Sequence, residues 1–332
     1  MPHTTSLWHR IEKAIIRGLV SLIARFYLRR PDQTEIIAIK IPTFKVAFYA
    51  FMNELSYLLG RPAGYRLYTL NLEVTNACNL SCEMCPVNHG MMRAKGLMDF
   101  NLFTKIIDET PLLEFVLVFQ WGEPLLHPRL FEMIDYAYMR GIRTMITSNG
   151  ALLTDEMIGR ILGSRLERIT FSVDGTSETH TQIRGFPYET LKKSILSLKA
   201  ERDRRESTLK IDTSMVVWDK TEPHVEAYLA EWTPIADRVQ LVPRLAEIAR
   251  RNRCRELWRG QLVVFWDGRV SACCVDYDGQ LILGDANHER IQDIWNGPKM
   301  RALRRAHVKR RFGAICRGCG EYRTEKVSPR FS

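Results

Sequence analysis

Eight cysteines are spread unevenly over the 332 residues: Cys78, Cys82 and Cys85 fall together, none follows until Cys254, and Cys273, Cys274, Cys316 and Cys319 complete the set. Disulfide frameworks are rarely so clustered. With no recognisable signal peptide, thiols are expected to serve metals or catalysis. Thiolate is the preferred ligand of iron–sulfur clusters and of zinc alike, so ligand softness does not choose between them. Cys78-Asn-Leu-Ser-Cys82-Glu-Met-Cys85 places three thiolates in one loop, with His89 as the only nearby candidate for a fourth ligand. Structural zinc normally closes with four protein ligands, whereas three leave an open position for a substrate or cofactor. The later cysteines could close a second site of either kind with four thiolates.

These loops need elements to hold them. Short apolar runs predict strands at Thr69–Val74, Phe115–Gln120, Arg143–Thr147, Arg168–Val173, Lys210–Val217 and Arg238–Val242. Helical patterns separate them near Asn101–Thr110, Pro128–Met139, Thr154–Leu162, Tyr188–Arg202 and Pro223–Trp232. Strand–helix units in series imply a parallel sheet with right-handed crossovers, closed or partly open as a barrel. The expected fold is therefore α/β: a partial (β/α)6 TIM-like barrel with a small C-terminal α+β module and a helical N-terminal extension. In such architectures chemistry sits at the carboxyl ends of the strands. Beyond Pro243, Gln261–Trp266, Asp267-Gly268 and Arg269–Ala272 read as a hairpin with an Asp-Gly turn, followed by a helix over Ile291–Arg305. The boundaries expected are 1–68 for the extension, 69–245 for the barrel, 246–325 for the module and 326–332 for a tail. Trp258, Trp266 and Trp295 are candidate core of the module.

Lys and Arg outnumber Asp and Glu by 48 to 38, for a net charge of +10. The excess lies at the ends, in Arg10 to Arg30 and again from Lys299 to Arg311. Such clusters face phosphate, anionic lipid or acidic peptide, or are simply solvated. Residues 5–30 read as an amphipathic helix, with Trp8, Ile11, Ile15, Leu19, Leu22 and Phe26 on one stripe. It is too charged to span a bilayer and lacks a secretory cleavage site. It would either dock on its own protein or lie on a membrane surface. A cytoplasmic location follows, with possible peripheral contact at the inner face of the membrane.

The CxxxCxxC spacing after the first strand resembles the signature of the radical S-adenosylmethionine enzymes, in which the open iron of a [4Fe–4S] cluster chelates the cofactor. Gln120-Trp121-Gly122-Glu123-Pro124-Leu125 resembles that family's GGE motif, with Trp121 in place of the first glycine. Thr147-Ser148-Asn149-Gly150 follows the third strand, and Ser172-Val173-Asp174-Gly175, with Arg184 and Gly185 beyond, follows the fourth. The resemblance implies Cys78, Cys82 and Cys85 as cluster ligands. It implies Met84, Gly122, Glu123, Ser148, Asn149, Ser172, Asp174 and Arg184 as cofactor contacts, Glu123 holding the methionyl amine and Ser172 and Arg184 the ribose or carboxylate. The C-terminal cysteines resemble the auxiliary modules called SPASM and, in shortened form, Twitch. A GxxxxC element at Gly268–Cys273 favours Cys273 over Cys274, which is left as a core thiol. One auxiliary [4Fe–4S] cluster on Cys254, Cys273, Cys316 and Cys319 is the expectation, since no cysteines remain for another.

The implied reaction is reductive cleavage of S-adenosylmethionine to a 5′-deoxyadenosyl radical that abstracts hydrogen, leading to two-electron oxidation of a small alcohol or sugar-derived substrate. The implied electron donor is a flavodoxin or ferredoxin. Alternatives are maturation of a ribosomally made peptide, for which residues 1–68 show no clear recognition domain beyond a candidate strand at Glu35–Lys40, and a lipid-linked substrate. A zinc protein that binds nucleic acid is the alternative of another class, and it leaves the Glu123 and Ser172 segments without a purpose. His127 and His180 are either pocket-lining or capping residues.

Overall fold

The computed structural model describes residues 44–243, 252–259, 262–317 and 319. The amphipathic segment 5–30 and the candidate strand Glu35–Lys40 lie outside the described residues. Helix α1 (Phe44–Leu58) precedes the first strand. Six strand–helix units follow: β1 (Thr69–Leu72), α2 (Phe100–Glu109), β2 (Phe115–Leu117), α3 (Leu130–Met139), β3 (Arg143–Ser148), α4 (Asp155–Gly163), β4 (Arg168–Ser172), α5 (Ser177–Arg184), α6 (Tyr188–Arg204), β5 (Lys210–Val217), α7 (Val225–Trp232) and β6 (Arg238–Pro243). The C-terminal part holds α8 (Glu256–Arg259), β7 (Leu262–Val264), β8 (Arg269–Ser271), β9 (Ile282–Asp285), α9 (Ile291–Trp295), α10 (Pro298–Val308) and α11 (Ala314–Arg317).

All nine strands form one sheet in the order β6-β5-β4-β3-β2-β1-β7-β8-β9. Strands β1 to β6 are parallel, with Leu70 opposite Val116 and Ser172 opposite Ser214. This is the partial barrel implied by the strand–helix alternation. Strands β1, β2 and the middle of β4 are buried on both faces, as crossover helices require. Leu70, Leu72, Val116, Ile146, Ile169, Phe171 and Ile211 are essentially inaccessible. Against them α2 packs Leu102, Phe103, Ile106 and Ile107, and α6 packs Leu191, Ile195 and Leu198. Each such side chain contributes about 1.5–3 kcal/mol by burial. Among the described residues no helix is long and apolar enough to cross a membrane.

Four details differ from the sequence reading. Strand β7 pairs in parallel with β1, so the hairpin prolongs the barrel sheet, and β9 adds a strand that its four residues did not advertise. The hairpin turn centres on Trp266 and Asp267: Gly268 donates to the Phe265 carbonyl and takes φ +92°, which only glycine adopts without strain. The helix expected over Ile291–Arg305 is two, α9 and α10, because Pro298 forces Gly297 into an extended backbone. Helix α5 was unread, its Ser-Glu-Thr-His-Thr-Gln-Ile-Arg run carrying almost no apolar period.

The C-terminal part also grips the approach to β1. Arg304, fully buried, stacks on Trp295 at 4.1 Å and donates to the carbonyls of Leu257 and Pro62 and to Asn296. Trp258 donates to the Arg61 carbonyl. Trp258 and Trp295 are core, as expected, whereas Trp266 leans on Gly96 of the barrel and donates to the Ala94 carbonyl.

Candidate active site at the barrel mouth

The chain leaving β1 is pinned before it reaches Cys78. Thr75 donates to the Gly96 carbonyl, the Gly96 amide to Asn76, and Asn76 to the Ala94 carbonyl. Lys95 bridges the carbonyls of Asn76 and Val87, on either side of the cysteine loop. Gly122, with φ +89°, presses on this segment from β2: a Cβ there would lie 2.6 Å from the Ala77 oxygen and 2.7 Å from that of Thr75. The next amide, of Glu123, donates to the Ala77 carbonyl at 2.8 Å. The Gly122-Glu123 pair is therefore a stop that fixes the start of the cysteine loop.

The Glu123 carboxylate is almost inaccessible and accepts from the Leu125 amide at 3.1 Å, from the Asn149 amide at 2.7 Å and from the Ser148 hydroxyl. Burial raises its pKa to about 7 against these donors. Its oxygens thus brace β2 against β3 from within. The cofactor-amine role that the resemblance implies for this carboxylate would be shared with these internal donors. From the same brace Asn149 Nδ2 reaches Asn79 Oδ1 at 2.9 Å and Cys78 Sγ at 3.6 Å.

Cys82 is held from β4 and α5. Asp174, fully buried, accepts Arg184 Nε at 2.7 Å and Nη2 at 2.6 Å on one oxygen and the Val216 amide at 2.7 Å on the other. Arg184 then points Nη1 at Cys82 Sγ, 3.9 Å away, while the Glu83 amide donates to the Ile183 carbonyl. His180 accepts the Asp174 amide through Nδ1 and is buried; burial, with the Arg184 charge, lowers its pKa to about 3. His127 donates through Nε2 to the Met98 carbonyl and accepts the Arg129 amide on Nδ1. Both histidines are thus scaffold and capping residues. Ser172 ends β4 half-buried, and Met84 is half-buried within the cysteine loop.

Burial pushes up the thiols of Cys78 and Cys85, and that of Cys82 to about 11 in spite of the Arg184 charge. Cys82 feels the charges of Cys85 and Cys78, and Cys85 that of Cys78, so the three share one space. Among the described residues no three His, Cys, Asp or Glu converge on one point as a single ion would demand. A cubane makes no such demand, since each thiolate binds a different iron. Three thiols from one loop, with N–H donors aimed at two sulfurs and no fourth ligand, fit a cluster with an open iron.

A second layer at the mouth was not legible in the sequence. Glu73, just past β1 and fully buried, forms a two-pronged pair with Arg93 at 2.7 and 2.8 Å. Arg93 also donates to the Tyr277 carbonyl and lies over the Phe265 ring at 3.8 Å. Gln120 bridges Asn71 and the Cys274 carbonyl, Trp121 meets the Tyr277 ring edge-on at 6.0 Å, and the Met92 amide donates to Asp278. The loop 273–278 therefore lies against the mouth beside Trp121. Within it Cys273 and Cys274 are hydrogen-bonded to each other, which together with burial raises the Cys273 pKa well above the ordinary thiol value. Elsewhere the Cys254 amide donates to His307 Nδ1 at 3.1 Å, Cys316 is buried in α11, and Cys319 is half-buried. An acidic residue at the end of a barrel strand, Glu73, was the one available signal for this layer.

Residues 72–227 match a family model described as the Radical SAM superfamily, and residues 254–320 one described as an iron–sulfur cluster-binding domain, SPASM. The tungsten-containing aldehyde ferredoxin oxidoreductase cofactor-modifying protein of Pyrococcus furiosus is 40% identical over 108 residues, 32% of this chain and 30% of that protein. The S-adenosyl-L-methionine-dependent 2-deoxy-scyllo-inosamine dehydrogenase of Niallia circulans is 22% identical over 75% of this chain and 91% of its own length. The chain spans only about a third of the length of the first curated relatives it matches. Among solved structures, Streptococcus suis SuiB bound to its precursor peptide SuiA superposes with a TM-score of 0.56 at 10% identity, over 89% of this chain and 80% of that one, a likeness of fold.

Proposed function

Because the chain belongs to the radical SAM superfamily and carries a SPASM-type iron–sulfur domain after its barrel, we propose that it is a radical enzyme that oxidises a small alcohol or sugar-derived substrate by two electrons. The observation that carries this reading is the braced loop of three thiols at the carboxyl end of β1, facing Arg184 and Asn149. Cys78, Cys82 and Cys85 would hold a [4Fe–4S] cluster there, which would supply the electron for reductive cleavage of S-adenosylmethionine. The protein's part is to hold the loop rigid, through Gly122 and Glu123 on one side and α5 on the other. It also keeps water from a reactive species by closing the mouth with the loop 273–278. Met84, Gly122, Glu123, Ser148, Asn149, Ser172, Asp174 and Arg184 would supply the contacts to the cofactor.

A second, fully thiolate-ligated cluster on Cys254, Cys273, Cys316 and Cys319 has no open iron for substrate, so an electron-carrying role suits it. The dehydrogenase of Niallia circulans, aligned over most of both chains, favours a small polyhydroxylated substrate. The test is anaerobic reconstitution with iron and sulfide, followed by S-adenosylmethionine and a reductant. Formation of 5′-deoxyadenosine that disappears in Cys82→Ala supports the reading, and a reconstituted protein that never cleaves the cofactor refutes it. Substrate-derived deuterium in 5′-deoxyadenosine from a labelled aminocyclitol, and none from peptides, supports the substrate class.

A further inference from the structure

Between Asp293 and Glu321 the sequence has no acidic residue and eight basic ones. Seven of them, Lys299, Arg301, Arg305, Lys309, Arg310, Arg311 and Arg317, are exposed, and none of the seven is in an ion pair among the described residues. Arg301 and Arg305, four residues apart, share one face of α10, and Lys309 follows at its C-cap. Several exposed cations elsewhere in the fold are matched, as in Arg129–Glu132, Arg204–Glu201 and Lys220–Glu83. Unmatched like charges repel one another and weaken the fold that carries them.

The opposite face of the same helix is buried through Met300, Arg304 and His307. His307 accepts the Cys254 amide and stacks edge-on with Phe312 at 5.0 Å, and the chain then turns into α11, which holds the buried Cys316. The cationic surface and the Cys254 backbone are therefore separated by the thickness of one helix, about 10 Å.

We propose that the exposed face of α10 is the docking site of an acidic, low-potential electron-carrier protein, and that electrons enter through the cluster of the C-terminal domain. The inference rests on the reading of residues 254–319 as a cluster site. A membrane or nucleic acid would feel the same charge; the position of the patch, one helix away from the Cys254 backbone, is what an electron donor needs. One electron leaves the carrier's reduced flavin or iron–sulfur centre and enters the cluster, no atom is transferred, and the carrier departs oxidised by one electron. Complementary charge acts chiefly on the encounter rate and is screened by salt.

The experiment uses stopped-flow bleaching of the reconstituted holoprotein, with flavodoxin hydroquinone as the probe and photoreduced deazaflavin as a small neutral reductant. In R301E/R305E/K309E the second-order rate with flavodoxin is expected to fall at least about tenfold, with the deazaflavin rate unchanged. In the native protein the flavodoxin rate is expected to fall steeply with added salt. A variant within twofold of native, or a salt-independent native rate, overturns the proposal. So does an unchanged flavodoxin rate accompanied by lost binding to phosphatidylglycerol vesicles, which would assign the face to a membrane. A native protein with no deazaflavin-reducible centre in the C-terminal domain would refute the underlying cluster reading instead.

Discussion

The chain Asp174–Arg184–Cys82 predicts opposite shifts of cluster potential from two substitutions. Reduction adds one negative charge beside Arg184, whose Nη1 lies 3.9 Å from Cys82 Sγ, and a positive charge or an N–H donor at a ligand sulfur favours the reduced state. At that distance and an effective dielectric of about 20, a unit charge is worth about 4 kcal/mol. Asp174, 2.6 Å from the same guanidinium, cancels the larger part and leaves roughly 1–2 kcal/mol. Since about 1.4 kcal/mol corresponds to about 59 mV for one electron, Arg184→Met, which removes the whole guanidinium term and leaves Asp174 in place, should lower the potential by roughly 100–200 mV. Asp174→Asn removes the cancelling charge and keeps an acceptor for the Val216 amide, so it should raise the potential by a similar amount. The assay is an EPR-monitored redox titration, without cofactor, of the signal that responds when S-adenosylmethionine is later added. Shifts of the same sign in both variants, or none, would refute the reasoning. Loss of cofactor binding in Arg184→Met with an unmoved potential would return Arg184 to the cofactor-contact role that the sequence suggested.

Gly122→Ala forces a Cβ to within 2.8 Å of three backbone atoms at a positive φ, so it should cost about 2–4 kcal/mol and lower the iron retained on Cys78, which thermal melts and iron assays report. Arg93→Met strands the buried Glu73 carboxylate and should cost about 3–5 kcal/mol, part of which Glu73→Gln restores in the double variant; chemical unfolding of all three decides it. Glu123, raised by burial to about 7, contributes stability that is full below about pH 4.5 and lost as pH rises through 7, while His180, lowered by burial to about 3, contributes stability present above 6.5 and lost on acidification. Unfolding of the cluster-free protein should therefore show Glu123→Gln gaining on wild type as pH rises from 4.5 to 7, and His180→Gln gaining as pH falls from 6.5; parallel curves would contradict both assignments.

The strands of the barrel were legible because most are short runs of apolar and β-branched residues between turn signals, and the cysteine spacing was legible because ligand geometry is local. The rest depends on contacts distant in sequence. Helix α5 has a polar sequence, yet it brings His180 and Arg184 to Asp174 and Cys82, and no periodicity signals a helix whose main task is to carry a hydrogen-bond network. The pairing of β7 with β1 joins residues nearly two hundred positions apart, which no local pattern encodes. The Glu73–Arg93 pair and its stack on Phe265 likewise arise from three separate loops. The Gly297-Pro298 break could have been read from the residue types alone.

The most direct test of the account is the iron and sulfide content of the anaerobically reconstituted protein, with and without the first cysteine triad. Two clusters, about eight irons per chain, falling to about four in Cys78→Ala/Cys82→Ala/Cys85→Ala with cofactor cleavage abolished, is the predicted result. Zinc in place of iron, or an iron content that the triple substitution leaves unchanged, would contradict it.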